Sequence, residues 1–256
     1  MLHIDIATRS EPGSRSRNED DLRFGSGGTL WHAVLADGAG GHRGGATASD
    51  LVVRMVALRL QAAAQTSIEA LNAALCDAHA ALGEQQQGRR SRERMHATVV
   101  ALWVDAEREE ALWSHVGDSR LYMLRRGRVC HVTRDDSVVQ QLIDAGYVTE
   151  DEARDHPRKN QLISAMGAEE LVQPHTVDEA QLIQDGDAFL LATDGWWDAL
   201  DHDAIEASFA AARTADDWLA LMEARVRAAA QPNQDNFSAV AVWVGDPAQT
   251  TRYDGA

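Results

Sequence analysis

Four aspartates stand where apolar runs stop or start. Asp37 follows the run 31–36, Asp118 follows 111–116 and a glycine, Asp194 closes 187–193, and Asp235 opens 237–244. Glu19 and Asp20 add two more acids near the N-terminus. Carboxylates brought together at the edge of a core repel one another and resist desolvation unless a cation compensates them. Oxygen ligands, with no cysteine and no paired histidine, select hard ions such as Mg²⁺ or Mn²⁺ over zinc. Two such ions sharing a carboxylate can activate a water and clamp a phosphoryl group for in-line attack. Each aspartate taken singly also reads as an ordinary turn residue.

Asp37 has the most telling surroundings. Five glycines fall within the eight residues 38–45 behind it, so the backbone there can turn sharply and approach a ligand. Beyond Gly45 the pattern turns helical, and a carboxylate ahead of a glycine loop that opens a helix suits a metal or phosphate site.

The elements that must position these acids follow from periodicity. Leu2, Ile4 and Ile6 share one face of an edge strand, 14–21 reads as a solvated loop, and 31–37 is the second strand. Leu51, Val52, Met55 and Leu58 mark one amphipathic helix. Ile68, Leu71, Leu75 and Leu82 mark a second, capped by Thr66-Ser67. His79, near that stripe, reads as a partly buried or surface histidine rather than a ligand, and 88–94 as a basic loop. Strands are expected at 98–104, 111–116, 121–124 and 129–132, the last two flanking a turn with Gly127, so pairing is antiparallel. A short helix begins at Ser137 and ends at Gly146. An excursion covers 147–167, helices surround 205–209 and 218–226, and 237–244 is the final strand.

Composition sets the class. The chain has 256 residues, 45% hydrophobic and 25% charged, with only 5 Pro, which describes a globular protein. A single domain over 1–245 with a short polar tail, 246–256, is the simpler organisation. The net charge of −16 argues against nucleic acid or an anionic membrane as a general partner, so an anionic substrate must be drawn in locally. Cys76 and Cys130 have no ligand spacing, which fits a reducing cytoplasm. The N-terminus shows no signal-peptide pattern, and no run approaches the roughly 18 apolar residues of a membrane span.

Five strings in order carry a family resemblance: Arg15-x-x-Asn18-Glu19-Asp20; Ala36-Asp37-Gly38-Ala39-Gly40-Gly41-His42-x-Gly44-Gly45; Val116-Gly117-Asp118-Ser119-Arg120-x-Tyr122; Thr193-Asp194-Gly195-Trp196-x-Asp198; and Asp235-Asn236-Phe237-Ser238. Asp135-Asp136-Ser137, Gly146 and His156-Pro157-Arg158-x-Asn160 fall between the third and fourth. Together they resemble the metal-dependent serine/threonine protein phosphatases (PPM, type 2C-like) in their compact bacterial form. The resemblance implies an α+β fold, a central antiparallel β-sandwich flanked by helices on both faces. It implies two Mn²⁺ or Mg²⁺ ions bridged by Asp37, with Asp194 and Asp235 on the first and Glu19 and the Gly38 carbonyl on the second. Asp118 would serve a third ion. Arg15 would bind the substrate phosphate, a role open also to Arg17, and residues 145–168 would form a flap.

Three departures accompany it. Ala39 stands where bacterial members usually have Met and animal ones a His proposed as general acid, so the offset His42 is the remaining proton-donor candidate in the motif. His96-Ala97-Thr98 replaces Gly-Thr-Thr, and Thr193 replaces Ser. The expected activity is hydrolysis of phosphoserine and phosphothreonine on proteins, reversing a serine/threonine kinase. The expected partners are that kinase or its substrates, for a cytoplasmic monomer with neither nucleic-acid binding nor membrane insertion. A pseudophosphatase that binds phosphoprotein without turnover is the rival, as is a two-metal hydrolase of other phosphate esters.

Overall fold

A computed structural model of the chain describes residues 1–40, 44–86, 94–230 and 232–246. His42 and most of the basic loop lie outside them. In chain order the elements are β1 (Ile4–Glu11), β2 (Asp20–Gly27), β3 (Leu30–Gly40), α1 (Gly44–Ala62), α2 (Ile68–Gln85), β4 (Met95–Ala97), β5 (Val99–Asp105), β6 (Glu110–Val116), β7 (Arg120–Arg125) and β8 (Arg128–Val132). There follow α3 (Val138–Asp144), α4 (Glu150–Arg154), β9 (His175–Thr176), β10 (Gln181–Leu182), β11 (Ala188–Ala192), α5 (Asp194–Trp197), α6 (His202–Ala211), α7 (Ala215–Ala229) and β12 (Phe237–Val244).

The strands form two antiparallel sheets, ordered β1-β12-β11-β7-β8 and β10-β6-β5-β3-β2, with β4 and β9 attached to the second. Period-two alternation builds three apolar layers from them. Ala33, Leu35, Val100 and Leu102 meet Leu121, Phe189, Leu191 and Val240 between the sheets. Val34, Ala36, Val99, Ala101 and Trp103 face α1 and α2. Tyr122, Leu190, Ala239 and Trp243 face α5, α6 and α7. The expected sandwich with helices on both faces is therefore present.

Local chemistry explains the element ends. Ser67 caps α2 by accepting from the Ala70 N–H, and Ser137 caps α3 by accepting from Gln140. Arg126 and Gly127 both have positive φ, 54° and 75°, as a tight two-residue hairpin turn between β7 and β8 requires. His79 is buried and accepts the Gly167 N–H through Nδ1, a structural contact.

Two expectations need correction. The segment 14–21 is not all loop, because Asp20 and Asp21 open the strand β2, which makes 31–37 part of the third strand. Leu58 does not join the apolar stripe of α1; it is 55% exposed, and Val53, Val56 and Ala57 fill the core side instead.

Candidate metal and phosphate site

Asp37 ends the buried part of β3 on the same side as Leu35, facing between the sheets. Strand register sets Asp20 of β2 directly opposite it. The other sheet supplies Asp194, the first residue of α5 after β11, and Asp235, just ahead of β12, while the β6–β7 turn supplies Asp118. These carboxylates sense one another. Burial, then the charges of Asp20, Asp194, Asp118 and Asp235, holds the Asp37 carboxyl well above the usual carboxylate range. Burial, then Asp194 and Asp135, does the same to Asp118. Burial pushes Asp194 up to about 6, with Asp235 adding to it. Asp20 rises to about 7, chiefly by burial and against hydrogen bonds from Ser238 and Thr193.

Asp20 is the residue that sequence reasoning left out of the ligand set. Buried Oδ1 atoms of Asp20 and Asp194 have no hydrogen-bond partner, and a buried acceptor left alone costs about 1–3 kcal/mol. Hard oxygens, mutual repulsion and orphaned acceptors together fit divalent cations. Among the described residues no three His, Cys, Asp or Glu groups close into a ready-made cage; Mg²⁺ commonly keeps several waters and takes only one or two carboxylates from the protein.

Glu19 and Gly38 meet at the start of α1. A Cβ on Gly45 would lie 2.5 Å from the Gly38 carbonyl oxygen and 2.6 Å from Glu19 Oε2, so both oxygens converge where only glycine leaves room. Burial and Asp235 raise the Glu19 carboxyl, while Arg15 and Arg17 oppose the rise. Arg15 donates from Nη2 to Asp235 Oδ2 at 2.8 Å, with more than half its side chain exposed.

Asn236 organises this segment. Its Nδ2 donates to the carbonyls of Pro12 (2.9 Å) and Arg17 (2.8 Å), and its Oδ1 accepts the Glu19 N–H (2.8 Å). On the far side, Thr98 Oγ1 accepts the Asp37 N–H at 2.9 Å and lies 2.6 Å from Ser119 Oγ, linking the loops of Asp37 and Asp118. Trp197 Nε1 donates to the Asp118 carbonyl at 3.0 Å. The Arg120 guanidinium lies 3.5 Å over the Trp197 ring and forks onto Asp135 with two 2.8 Å bonds. Lys159, within 145–168, donates to Asp198 Oδ2 at 2.6 Å.

The departures acquire physical meaning here. Thr193 keeps the hydroxyl of the usual Ser, donating to Asp20 Oδ2 (3.1 Å) and accepting the Ser238 N–H (3.0 Å). Ala39 is exposed, and its register partner across β3 and β4 is the half-buried His96. Directly paired side chains share a face of the sheet.

The two sheets thus bring carboxylates together around Asp37, as a site for divalent cations requires. The profile described as Protein phosphatase 2C matches residues 9–233, and the chain belongs to that family. It is 32% identical over 234 residues to the serine/threonine protein phosphatase PstP of Mycobacterium tuberculosis, covering 91% of this chain and 44% of that protein. The chain thus spans less than half the length of this curated relative. The catalytic domain of PstP in complex with two manganese ions superposes with a TM-score of 0.82 at 29% identity, covering 96% of this chain and 100% of that one. PppA, described as a regulatory component of the type VI secretion system in Pseudomonas aeruginosa, gives 0.77 at 29% identity over 94% of this chain and 98% of its own.

Proposed function

We propose that this chain hydrolyses phosphoserine and phosphothreonine on proteins with divalent metal ions, reversing a serine/threonine kinase. The observation that supports this most is the group of buried, mutually repelling carboxylates that both sheets direct around Asp37. Asp37 would bridge two Mn²⁺ or Mg²⁺ ions. Asp194 and Asp235 would complete the first site, and Glu19 and the Gly38 carbonyl, with Asp20 beside them, the second. Asp118 would hold a third. When bound, such ions supply an activated water and neutralise phosphoryl charge.

The chain's own groups supply binding and proton transfer. Arg15 offers its guanidinium fork to two phosphate oxygens, exchanging Asp235 for the substrate, with Arg17 two residues away. Asn236 holds the backbone that carries both. A leaving alkoxide needs a proton, and His96, the register partner of Ala39, and His42 are the candidate donors. Residues 1–245 act as one catalytic unit, with 145–168 as the flap over its rim. We place the protein in the cytoplasm as a monomer acting in signal transduction, without nucleic-acid partners. Among the described residues no helix is long and apolar enough to cross a membrane.

The test is phosphate release from a phosphothreonine peptide by purified protein with EDTA, Mg²⁺ or Mn²⁺, beside Asp194→Ala. Turnover that requires Mn²⁺ or Mg²⁺ and disappears in the variant supports the proposal. A folded, metal-loaded protein without turnover overturns it in favour of phosphoprotein binding alone.

A further inference from the structure

The turn that carries Asp118 is held from outside the carboxylate cluster. Gly117, the residue before it, has φ 99°, and a Cβ there would lie 2.7 Å from Thr98 Cγ2, so the position suits glycine. Glycine is the freest of residues, and a turn built on it keeps one shape only where neighbours fix it. Buried Asp136 fixes it on both sides. Its Oδ2 accepts the Gly117 N–H at 3.0 Å, and its own N–H donates to the Gly117 carbonyl at 2.9 Å. That carbonyl shares a peptide group with the Asp118 N–H, which bonds the Asp118 carboxylate. The plane that Asp136 fixes therefore sets the aim of the Asp118 side chain.

Asp136 is in turn oriented by His175. Its second oxygen, Oδ1, lies 2.8 Å from His175 Nε2. A carboxylate only accepts, so Nε2 carries the proton. The Asp136 carbonyl accepts the Ile163 N–H at 2.8 Å, which steadies its backbone. His175 sits on β9 directly across from His115 of β6, and the two rings stack with centroids 5.1 Å apart. His115 is buried; its Nε2 donates to the Arg134 carbonyl at 2.7 Å, and its Nδ1 has no partner. Burial holds this imidazole below its ordinary range and keeps it neutral, an uncharged platform for His175. Thr176 fastens β9 by donating its hydroxyl to Ser114 Oγ at 2.6 Å. Among the described residues this group does not close into a metal cage of its own.

We propose that Asp136, oriented by His175, is a positioning residue that aims Asp118 at its ion. This inference rests on the reading of Asp118 as a metal ligand of the phosphatase. Partners that stand behind metal ligands typically change affinity about 10–100-fold when they are removed.

The experiment is calorimetric titration of metal-free protein with Mn²⁺, beside turnover of p-nitrophenyl phosphate as a function of Mn²⁺ concentration. Asp118→Asn marks the binding step that belongs to Asp118. His175→Phe keeps a ring stacked on His115 and removes the donor to Asp136. His175→Gln loses the ring and keeps an N–H at nearly the same reach. The His175 side chain is more than half exposed, so both variants should fold, and melting in EDTA checks that they do. His175→Phe should weaken the Asp118-dependent step about tenfold and raise the Mn²⁺ concentration for half-maximal turnover by the same factor. The other binding steps should match the parent, and His175→Gln should restore most of the lost affinity. Asp136→Asn, whose amide accepts from Gly117 more weakly than a charged carboxylate, should weaken the same step, and it decides the matter if His175→Phe does not fold. Unchanged Mn²⁺ affinity in these variants overturns the proposal whatever their melting temperature, because a purely structural contact would give that result. Equal weakening of every step overturns it as well, as does a parent with no Asp118-dependent step. A parent that shows the step but hydrolyses neither p-nitrophenyl phosphate nor a phosphothreonine peptide would instead count against the phosphatase reading, and the titration would still decide the positioning role.

Discussion

At the residue scale, Asp20 and His96 carry the sharpest tests. Asp20→Asn keeps the shape and removes one of the repelling charges. It should raise the melting temperature of metal-free protein by a few degrees, in line with about 1–2 kcal/mol, and weaken Mn²⁺ binding about tenfold. Calorimetric melting and titration would read the two effects separately, and a variant that melts lower in EDTA would refute the electrostatic account. His96→Gln should lower kcat on a phosphothreonine peptide about a hundredfold. It should change p-nitrophenyl phosphate turnover only a few-fold, because that leaving group needs no proton. Equal losses on both substrates would remove His96 as donor. The acids themselves were legible in the chain because each interrupts an apolar run. Asp20 was not, since its place opposite Asp37 depends on the register of β2.

At the element scale, β2 was hidden because only Leu22 and Phe24 carry its alternation, polar Asp20 and Ser26 ending it on either side, and an exposed edge strand needs no second apolar face. The two-residue strands β9 and β10 are too short to leave any period. Leu58 was assigned inward because α1 carries Val, Ala and Leu around much of its circumference, so spacing alone does not select the buried face. The longer apolar runs were readable because they are covered on both sides. One ion pair fastens the end of such a strand: Arg125 binds fully buried Asp187 through Nε at 3.0 Å and Nη2 at 2.6 Å. Arg125→Ala would strand that carboxylate. Arg125 is itself partly exposed, which puts the cost near the low end, about 2–3 kcal/mol, or roughly 4–12 °C in thermal denaturation. A drop under 1 °C would mean that water replaces the arginine without penalty.

At the scale of the whole molecule, the raised carboxyls set a pH dependence. Asp20 near 7 and Asp194 near 6 exceed the ordinary 3.8, so between about pH 4 and 7 these two groups keep protons in the folded chain that the unfolded one releases. In metal-free protein these two carboxyls should therefore subtract stability as pH rises through that window, by about 1.4 kcal/mol per unit for each extra proton held, while burial of His32, His79, His96, His115 and His131 acts the other way. Divalent ions displace those protons, so Mn²⁺ should raise the melting temperature more at pH 7.5 than at pH 5.5. A melting temperature in EDTA with the same pH dependence in Asp20→Asn as in the parent would contradict this.

The pairing of β1 with β12 has a consequence for synthesis. Glu11 pairs beside Phe237, so β1 waits for a strand made far downstream of it. At roughly 5–20 residues per second the wait is on the order of 10–45 s. Throughout it the nascent chain lacks Asp235 and Asn236, and the Arg15 segment has nothing to seat against. On the phosphatase reading, a nascent chain would stay catalytically silent until β12 has emerged, however well the sheet of β3 has folded.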